Sequence, residues 1–223
     1  MKRVIIICEG QTEKEFCEKI LQFHLLLAKG ISIHAPLIKK SKGGIAGWSA
    51  LKEQIETHLK SEKGAYVSTF IDYYGLHSKH NFPNWEECEK VKDCNERMDC
   101  LEKAMLLDMS ENLRDRFIPY LQLHEFEGLL FNDINVFYSQ IPNEEIVGKE
   151  ELSKVFADYN NPELINNNKE TSPSHRLERI IKGYDKVLYG NILAEAIGLE
   201  RIREKSPRFN CWISKIESLH SNI

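Results

Sequence analysis

The 223-residue chain predicts an α/β fold, a mainly parallel sheet flanked by helices and followed by a C-terminal helical subdomain. Three observations lead there. Two short apolar runs rich in β-branched residues, Val4–Cys8 and Ala65–Ile71, each suit a buried parallel strand. Each run ends in a carboxylate, Glu9 and Asp72. The stretches between the runs carry helical periodicity, as crossovers between parallel strands do. From Asn132 onward the strand pattern disappears. Residues 1–131 are therefore expected to form the α/β core, and 132–223 a helical insertion and subdomain packed on it.

The elements follow in order. After the first strand, Glu9-Gly10 leads into Gln11-Thr12-Glu13, the start of an amphipathic helix with Phe16, Ile20, Phe23 and Leu27 on one face. Gly10 suits a tight strand-to-helix turn, and the helix start offers backbone N–H groups to an anion, with Thr12 beside them. Ile31–Ile38 reads as a second strand. Lys39, Lys40 and Lys42 follow in a loop with Gly43 and Gly44. That loop is either a solvated turn or a contact for a phosphate backbone. Trp48–Leu59 predicts a helix with Trp48, Leu51, Ile55 and Leu59 inward, ended by Gly64. Ala65–Asp72 is the third strand. Two parallel strands that each finish in an acid put both acids on one sheet edge, the minimum for a divalent cation.

Beyond the loop at Asn81–Trp85, a single long helix is expected over Glu86–Met109, with Val91, Cys94, Met98, Leu101 and Met105 as its apolar stripe. Arg116–Leu123 predicts a fourth strand, made irregular or placed at an edge by Pro119. His124-Glu125-Phe126-Glu127 follows it. Read as extended chain, Glu125 and Glu127 point to one side and Phe126 to the core. The alternative is that one of these acids caps the turn buried by Leu129, Leu130 and Phe131. His124 fits a satisfied buried histidine as well as a catalytic one. A zinc-protease motif would need a histidine where Gly128 stands. The asparagine-rich segments near 160 and 166 mark loops. Ser174 is then placed to cap a helix carrying Leu177, Ile180 and Ile181, Lys186–Ile197 predicts another, and Phe209, Trp212, Ile213, Ile216 and Leu219 belong to a last one.

Bulk properties narrow the function. A formal net charge of −4 excludes a globally basic nucleic-acid binder but leaves room for local basic patches, to which Arg208 in the basic C-terminal region belongs. No apolar run reaches membrane-spanning length and no secretory leader pattern opens the sequence, so a cytoplasmic protein is expected. The six cysteines show no CxxC pair, and reduced thiols are expected throughout.

The stretch from Val4 through Glu9-Gly10-Gln11-Thr12-Glu13 resembles the opening motif of Toprim domains, found in topoisomerases, primases and overcoming-lysogenization-defect nucleases. Together with Asp72-Tyr73-Tyr74-Gly75, His124–Phe131 and Gly183-Tyr184-Asp185-Lys186, it resembles a Toprim-like bacterial family numbered 4276 among the domains of unknown function. The resemblance runs to about Leu219. It implies phosphodiester hydrolysis on DNA or RNA with Mg²⁺ or Mn²⁺. Glu9 and Asp72 would be catalytic groups and metal ligands, and Lys186 the cation that stabilises the transition state. From their place after the fourth strand, Glu125 first and then Glu127 are the nearest acids to complete the metal site. The resemblance also implies a partner ATPase of the ABC or structural-maintenance type and a role in phage defence. This chain has no Walker A sequence, so any ATP hydrolysis must come from such a partner. One departure stands out. Toprim domains carry Asp-x-Asp where this chain has Asp72-Tyr73-Tyr74, so the second acid is missing. That departure keeps a rival open, a non-catalytic regulatory or nucleotide-binding subunit of an ATPase complex. A small-molecule phosphohydrolase is a third reading.

Overall fold

The computed structural model describes residues 1–39, 46–165, 168 and 170–219. The chain divides into two compact units. The first is Met1–Leu123 together with the chain from Trp212 onward, and the second is His124–Cys211.

The first unit is built on a parallel sheet ordered β2-β1-β3-β4, with β5 also on β3. β1 is Lys2–Cys8, β2 Ile31–His34, β3 Ala65–Asp72, β4 Phe117–Ile118 and β5 Leu121–Gln122. The α/β expectation holds, and both faces of the sheet are covered, as a parallel sheet requires. Val4 through Cys8 are all fully buried. On one face Ile5, Ile7, Val67 and Ile71 pack with Leu51, Ile55 and Leu59 of α3 (Trp48–Ser61) and with Met98, Leu101 and Met105 of α5 (Cys94–Asp108). On the other, Phe70 meets Phe16, Tyr120 and Trp212, with Tyr120 and Trp212 stacked at 4.4 Å.

Several elements differ from expectation for identifiable reasons. β2 ends at His34, because Pro36 has no N–H to continue the ladder. The chain still tracks β1 as far as Ile38, whose N–H donates to the Cys8 carbonyl. The first helix runs as α1 (Gln11–Phe16), a π-turn at Cys17–Leu21 and α2 (Gln22–Lys29). The wide turn rotates the apolar face. Phe16, Cys17, Leu21 and Leu25 are buried, whereas Phe23 and Leu27, expected inside, are 68% and 70% exposed. The fourth strand is split by Pro119 into β4 and β5. Hydroxyls of β3 bridge the gap. Ser68 donates to Ile118 O, Thr69 donates to Tyr120 O and accepts its N–H, and the Trp212 indole donates to Ser68.

The long helix expected over Glu86–Met109 is two helices, α4 (Trp85–Cys88) and α5. Asp93 caps α5 by accepting the N–H groups of Asn95 and Glu96, and that starts a new helix where the apolar spacing alone reads as continuous. The reversal brings Cys88 and Cys100 to a Cα separation of 5.6 Å, and they form a disulfide. The expectation of reduced thiols throughout is thus corrected for this pair. Cys8, Cys17, Cys94 and Cys211 are thiols.

The second unit is helical: α6 (Ile134–Gln140), α7 (Lys149–Asp158), α8 (Pro173–Ile180), α9 (Lys186–Ile197), α10 (Leu199–Lys205) and the start of α11 (Pro207–Ser218). Glu163, buried between these elements, accepts the N–H groups of Arg208 and Phe209 and closes the N-terminus of α11. Among the described residues no helix is long and apolar enough to cross a membrane.

Glu56 on α3 ties that helix to the end of α5 by accepting both the N–H and the hydroxyl of Ser110, while Lys60 donates to its other oxygen. Burial pushes its carboxyl up, but these hydrogen bonds outweigh it and hold the pKa at about 2. A depressed carboxyl contributes stability above its unfolded value, and that stability disappears as the pH falls through the folded one. Glu56→Gln should therefore cost roughly 1–3 kcal/mol at neutral pH. In urea unfolding followed across pH, the gap to wild type should close between about pH 4.5 and pH 2.

Candidate functional site

The two strand-end acids of the first unit meet. Cys8 lies opposite Phe70 in the β1–β3 register, and the Glu9 N–H extends the ladder by one more bond, to Phe70 O at 3.1 Å. The Glu9 side chain then crosses to the neighbouring strand, where its Oε2 accepts the Asp72 N–H at 3.0 Å. Asp72 is buried at the end of β3 and Glu9 is half-buried. The structure thus places the first two sequence-predicted residues on one carboxyl-terminal sheet edge, where open α/β sheets hold their sites.

Around them the helix start is closed upon itself. Glu13 Oε2 accepts the Gly10 N–H at 2.9 Å. Gly10 has an extended backbone that any residue adopts, so its turn needs no special φ. What a side chain there would meet is Glu13 Oε2, at 3.0 Å. Thr12 and Glu13 are buried beneath the turn, which leaves Thr12 inside the packing. Of the basic loop, Lys39 is exposed, its N–H fixed by Gln54 of α3. Lys40 and Lys42 lie outside the described residues.

Tyr73, next to Asp72, is also held. Its N–H donates to Gln122 O, its hydroxyl donates to Glu89 at 2.6 Å and accepts from Arg97 at 3.1 Å, and its ring stacks on Trp85. Burial, then the Glu89 hydrogen bond, pushes its phenol up to about 12, so it stays neutral. Tyr74, in the place of the missing acid, is half-buried.

The second unit gathers the other motif. His124 adopts a left-handed backbone, φ +65°, a conformation uncommon outside glycine. A 3₁₀ turn begins at Phe126 and runs to Leu130, so the expected extended path from Glu125 to Glu127 does not form. The two acids consequently have separate partners. Glu125 accepts the N–H and the hydroxyl of Ser174 at 2.9 and 2.8 Å, in the first turn of α8. The cap residue of that helix is Ser172, not Ser174 as the sequence predicts. Glu127 is fully buried, with Oε1 3.0 Å from the Lys186 ammonium. Lys186 opens α9, which Asp185 caps through the Leu188 N–H. Burial, then the nearby Glu127 charge, pushes the Tyr184 phenol well above its ordinary value, despite the opposing charge of Lys186. Gly128 sits where a Cβ would press on Pro162 O at 3.0 Å, so the turn of the motif packs too tightly for a side chain. Arg208 is half-buried in the first turn of α11, with its N–H on Glu163.

Two partners were missed in the sequence. Ser174 as the mate of Glu125 and Glu163 as the cap of α11 are contacts between distant segments, which no local spacing signals. Among the described residues no group of three or more His, Cys, Asp or Glu side chains is arranged to hold a metal ion.

A family model described as a domain of unknown function, DUF4276, matches residues 8–217, nearly the whole chain. The chain belongs to that family. The match spans the acidic edge, the His124–Phe131 motif and Lys186 alike, so these features all belong to the DUF4276 region. No curated protein and no solved structure gives a significant match to the chain.

The Glu125–Ser174 contact makes a measurable claim about the DUF4276 motif. Glu125→Ala and Ser174→Ala should each destabilise the protein by about 1–3 kcal/mol, because the first leaves half-buried Ser174 and the second leaves buried Glu125 short of a hydrogen bond. In a double-mutant cycle by urea denaturation their effects should be non-additive by about 1 kcal/mol or more. Additive losses would mean that the two side chains act independently.

Proposed function

We propose that this DUF4276 protein is a metal-dependent phosphodiesterase acting on nucleic acid, a Toprim-like nuclease that works with an ATPase partner in phage defence. The observation that carries the reading is the Glu9–Asp72 pair at the ends of neighbouring parallel strands, with the Glu9 carboxylate on the Asp72 backbone N–H. Their donor chemistry fits Mg²⁺ or Mn²⁺. Such ions are commonly held by one or two carboxylates and complete their shell with water and substrate phosphate, so a dedicated protein cage is not needed. Bound there, the cation would supply the charge that offsets the phosphate and acidifies a water.

The residues of the chain do the rest. The Asp72 N–H fixes the rotamer of Glu9, so its carboxylate needs little reorganisation when substrate arrives. The clamp on Tyr73 holds the backbone that presents Asp72. Lys39, exposed beside α3, and its sequence neighbours Lys40 and Lys42 are proposed contacts for the phosphate backbone, and Arg208 of the second unit is proposed separately as another. Within the second unit, Glu127 holds the ammonium of Lys186, which is proposed as a cation for phosphate.

The regulatory or nucleotide-binding reading draws on a specific observation too. Tyr74 stands in place of the second acid, and a neutral phenol is a poor ligand for a hard cation near pH 7.

Glu9→Gln keeps an acceptor for the Asp72 N–H while removing the charge. It and Asp72→Asn should each weaken Mn²⁺ binding about tenfold or more in calorimetry and abolish cleavage of nucleic acid, with Tm shifted by no more than about 2 °C. If the wild-type protein, alone and with its ATPase, binds the metal but cleaves no nucleic acid, the regulatory reading takes its place.

Replacing Lys39, Lys40 and Lys42 together with Ala should lower nucleic-acid affinity. It should also flatten the log–log salt slope by up to about 0.9 for each phosphate that the lysines no longer neutralise. An unchanged slope would return the loop to an ordinary solvated turn.

A further inference from the structure

The hairpin formed by α4 and α5 is closed by the Cys88–Cys100 disulfide, and the same hairpin grips the residue that follows Asp72. Tyr73 is held from three of its positions. Trp85 on α4 stacks on its ring, Glu89 at the end of α4 accepts its hydroxyl hydrogen, and Arg97 on α5 donates to its oxygen and lies over its ring. Arg97 also spans the turn between the helices, donating from Nε and Nη2 to Val91 O. Both helices must keep their mutual position for Tyr73 to keep all three partners. Beyond the covalent bond, exposed Lys90 and Lys92 occupy the connecting turn, and α4 is a single turn of helix that is marginal by itself.

We propose that the Cys88–Cys100 disulfide is a reversible redox clasp, and that its reduction by a dithiol releases α4 from α5 and loosens the grip on Tyr73 at the end of β3.

Access and chemistry both favour exchange at one of the two sulfurs. Cys88 is fully buried. Cys100 is partly exposed and lines a surface pocket of about 680 Å³ with Pro83, Asn84, Asp99 and Lys103. A thiolate of the incoming dithiol therefore attacks Cys100 Sγ from the pocket. The S–S bond breaks, and its electron pair leaves with Cys88 Sγ, which then takes a proton. The second thiol of the reductant attacks the mixed disulfide and releases Cys100 as a thiol. Two electrons and two protons have then passed to the protein, and the reductant leaves as its own disulfide. Asn84 is placed to assist the departure, with Nδ2 3.8 Å from Cys88 Sγ and 3.9 Å from Cys100 Sγ. The remaining described cysteines do not form a framework with this pair. Cys8 and Cys17 are buried in the core, Cys94 is half-buried and Cys211 is exposed, all as thiols.

The test begins with the full chain equilibrated with oxidised dithiothreitol. After denaturing alkylation, mass spectrometry should find the peptides of Cys88 and Cys100 linked and the other four cysteines alkylated. Reduced dithiothreitol should open this link while the circular dichroism stays native. Trypsin should then cut at Lys90 and Lys92 at least about fivefold faster, and amide exchange across residues 73–76 should rise severalfold. Cys88→Ser combined with Cys100→Ser should behave as the reduced protein in either buffer. Wild type gives the same readout through reduction itself, so the result does not hang on how the variant folds. Asn84→Gly keeps the left-handed backbone at that position (φ +56°) and should slow reduction about threefold or more. The clasp is overturned if both cysteines alkylate after oxidation, or if reduction leaves tryptic cutting and exchange at 73–76 unchanged. Thiol state and backbone opening are read without any activity assay, so failure here would leave the phosphodiesterase reading untouched.

Discussion

The register between β1 and β3 governs what the sheet edge can do. Arg3 through Cys8 pair with Ala65 through Phe70, and only that alignment lets the Glu9 side chain reach the Asp72 N–H. A slip of one residue would turn Ile5, Ile7, Val67 and Ile71 out of the layer they share with α3 and α5. Packing therefore enforces the register, and the register sets the acid pair. The Glu9 carboxylate stays on the Asp72 N–H because the buried apolar faces beneath hold the two backbones in place. Glu9 and Asp72 follow the last β1–β3 pair, Cys8 with Phe70.

The second unit uses acids differently. Buried carboxylates are costly unless paired or hydrogen-bonded, and each one in the His124–Phe131 motif has its compensation within the same unit. Glu125 takes two hydrogen bonds from Ser174, and Glu127 takes the ammonium of Lys186. The left-handed backbone at His124 and the tight turn at Gly128 hold the chain so that both contacts form. Lys186 is 45% exposed while Glu127 is fully buried, so the ammonium is anchored from inside with part of its surface left to solvent. An anchored cation of that kind suits a fixed anion better than a mobile lysine would, since less side-chain entropy is lost on binding.

Much of the first unit is legible because its signals are local. β-branched runs ending in Glu9 and Asp72 announce two parallel strands, and Trp48, Leu51, Ile55 and Leu59 recur at helical spacing and are all buried. What escapes is set by single backbone events that leave the spacing almost intact. The π-turn at Cys17–Leu21 moves the buried face from Phe23 and Leu27 to Leu21 and Leu25 without interrupting the helix. The break between α4 and α5 falls at Lys90-Val91-Lys92-Asp93, with no glycine or proline to mark it. The sign is Asp93 followed by Asn95 and Glu96, a cap that competes with the continuous stripe of Val91, Cys94 and Met98. At the motif, an extended chain with a period of two would put Glu125 and Glu127 on one side. A 3₁₀ turn forms there instead, and the two acids serve different helices.

The missed break has a larger consequence than a helix boundary. In one straight helix, residues twelve apart lie about 18 Å from each other along the axis, so Cys88 and Cys100 could never meet. Folded back, their Cα atoms are 5.6 Å apart. The reversal that permits the bond also brings Trp85, Glu89 and Arg97 around Tyr73, because these residues flank the same turn. One capped turn thus creates both the disulfide and the grip on the strand end. Tyr73 is the point where the two effects join. Its phenol stays neutral and doubly hydrogen-bonded, which lets it act as a strut between hairpin and sheet. The backbone beside Asp72 is then as rigid as the hairpin around Tyr73, and the rigidity of that hairpin depends on a bond that thiol chemistry can open.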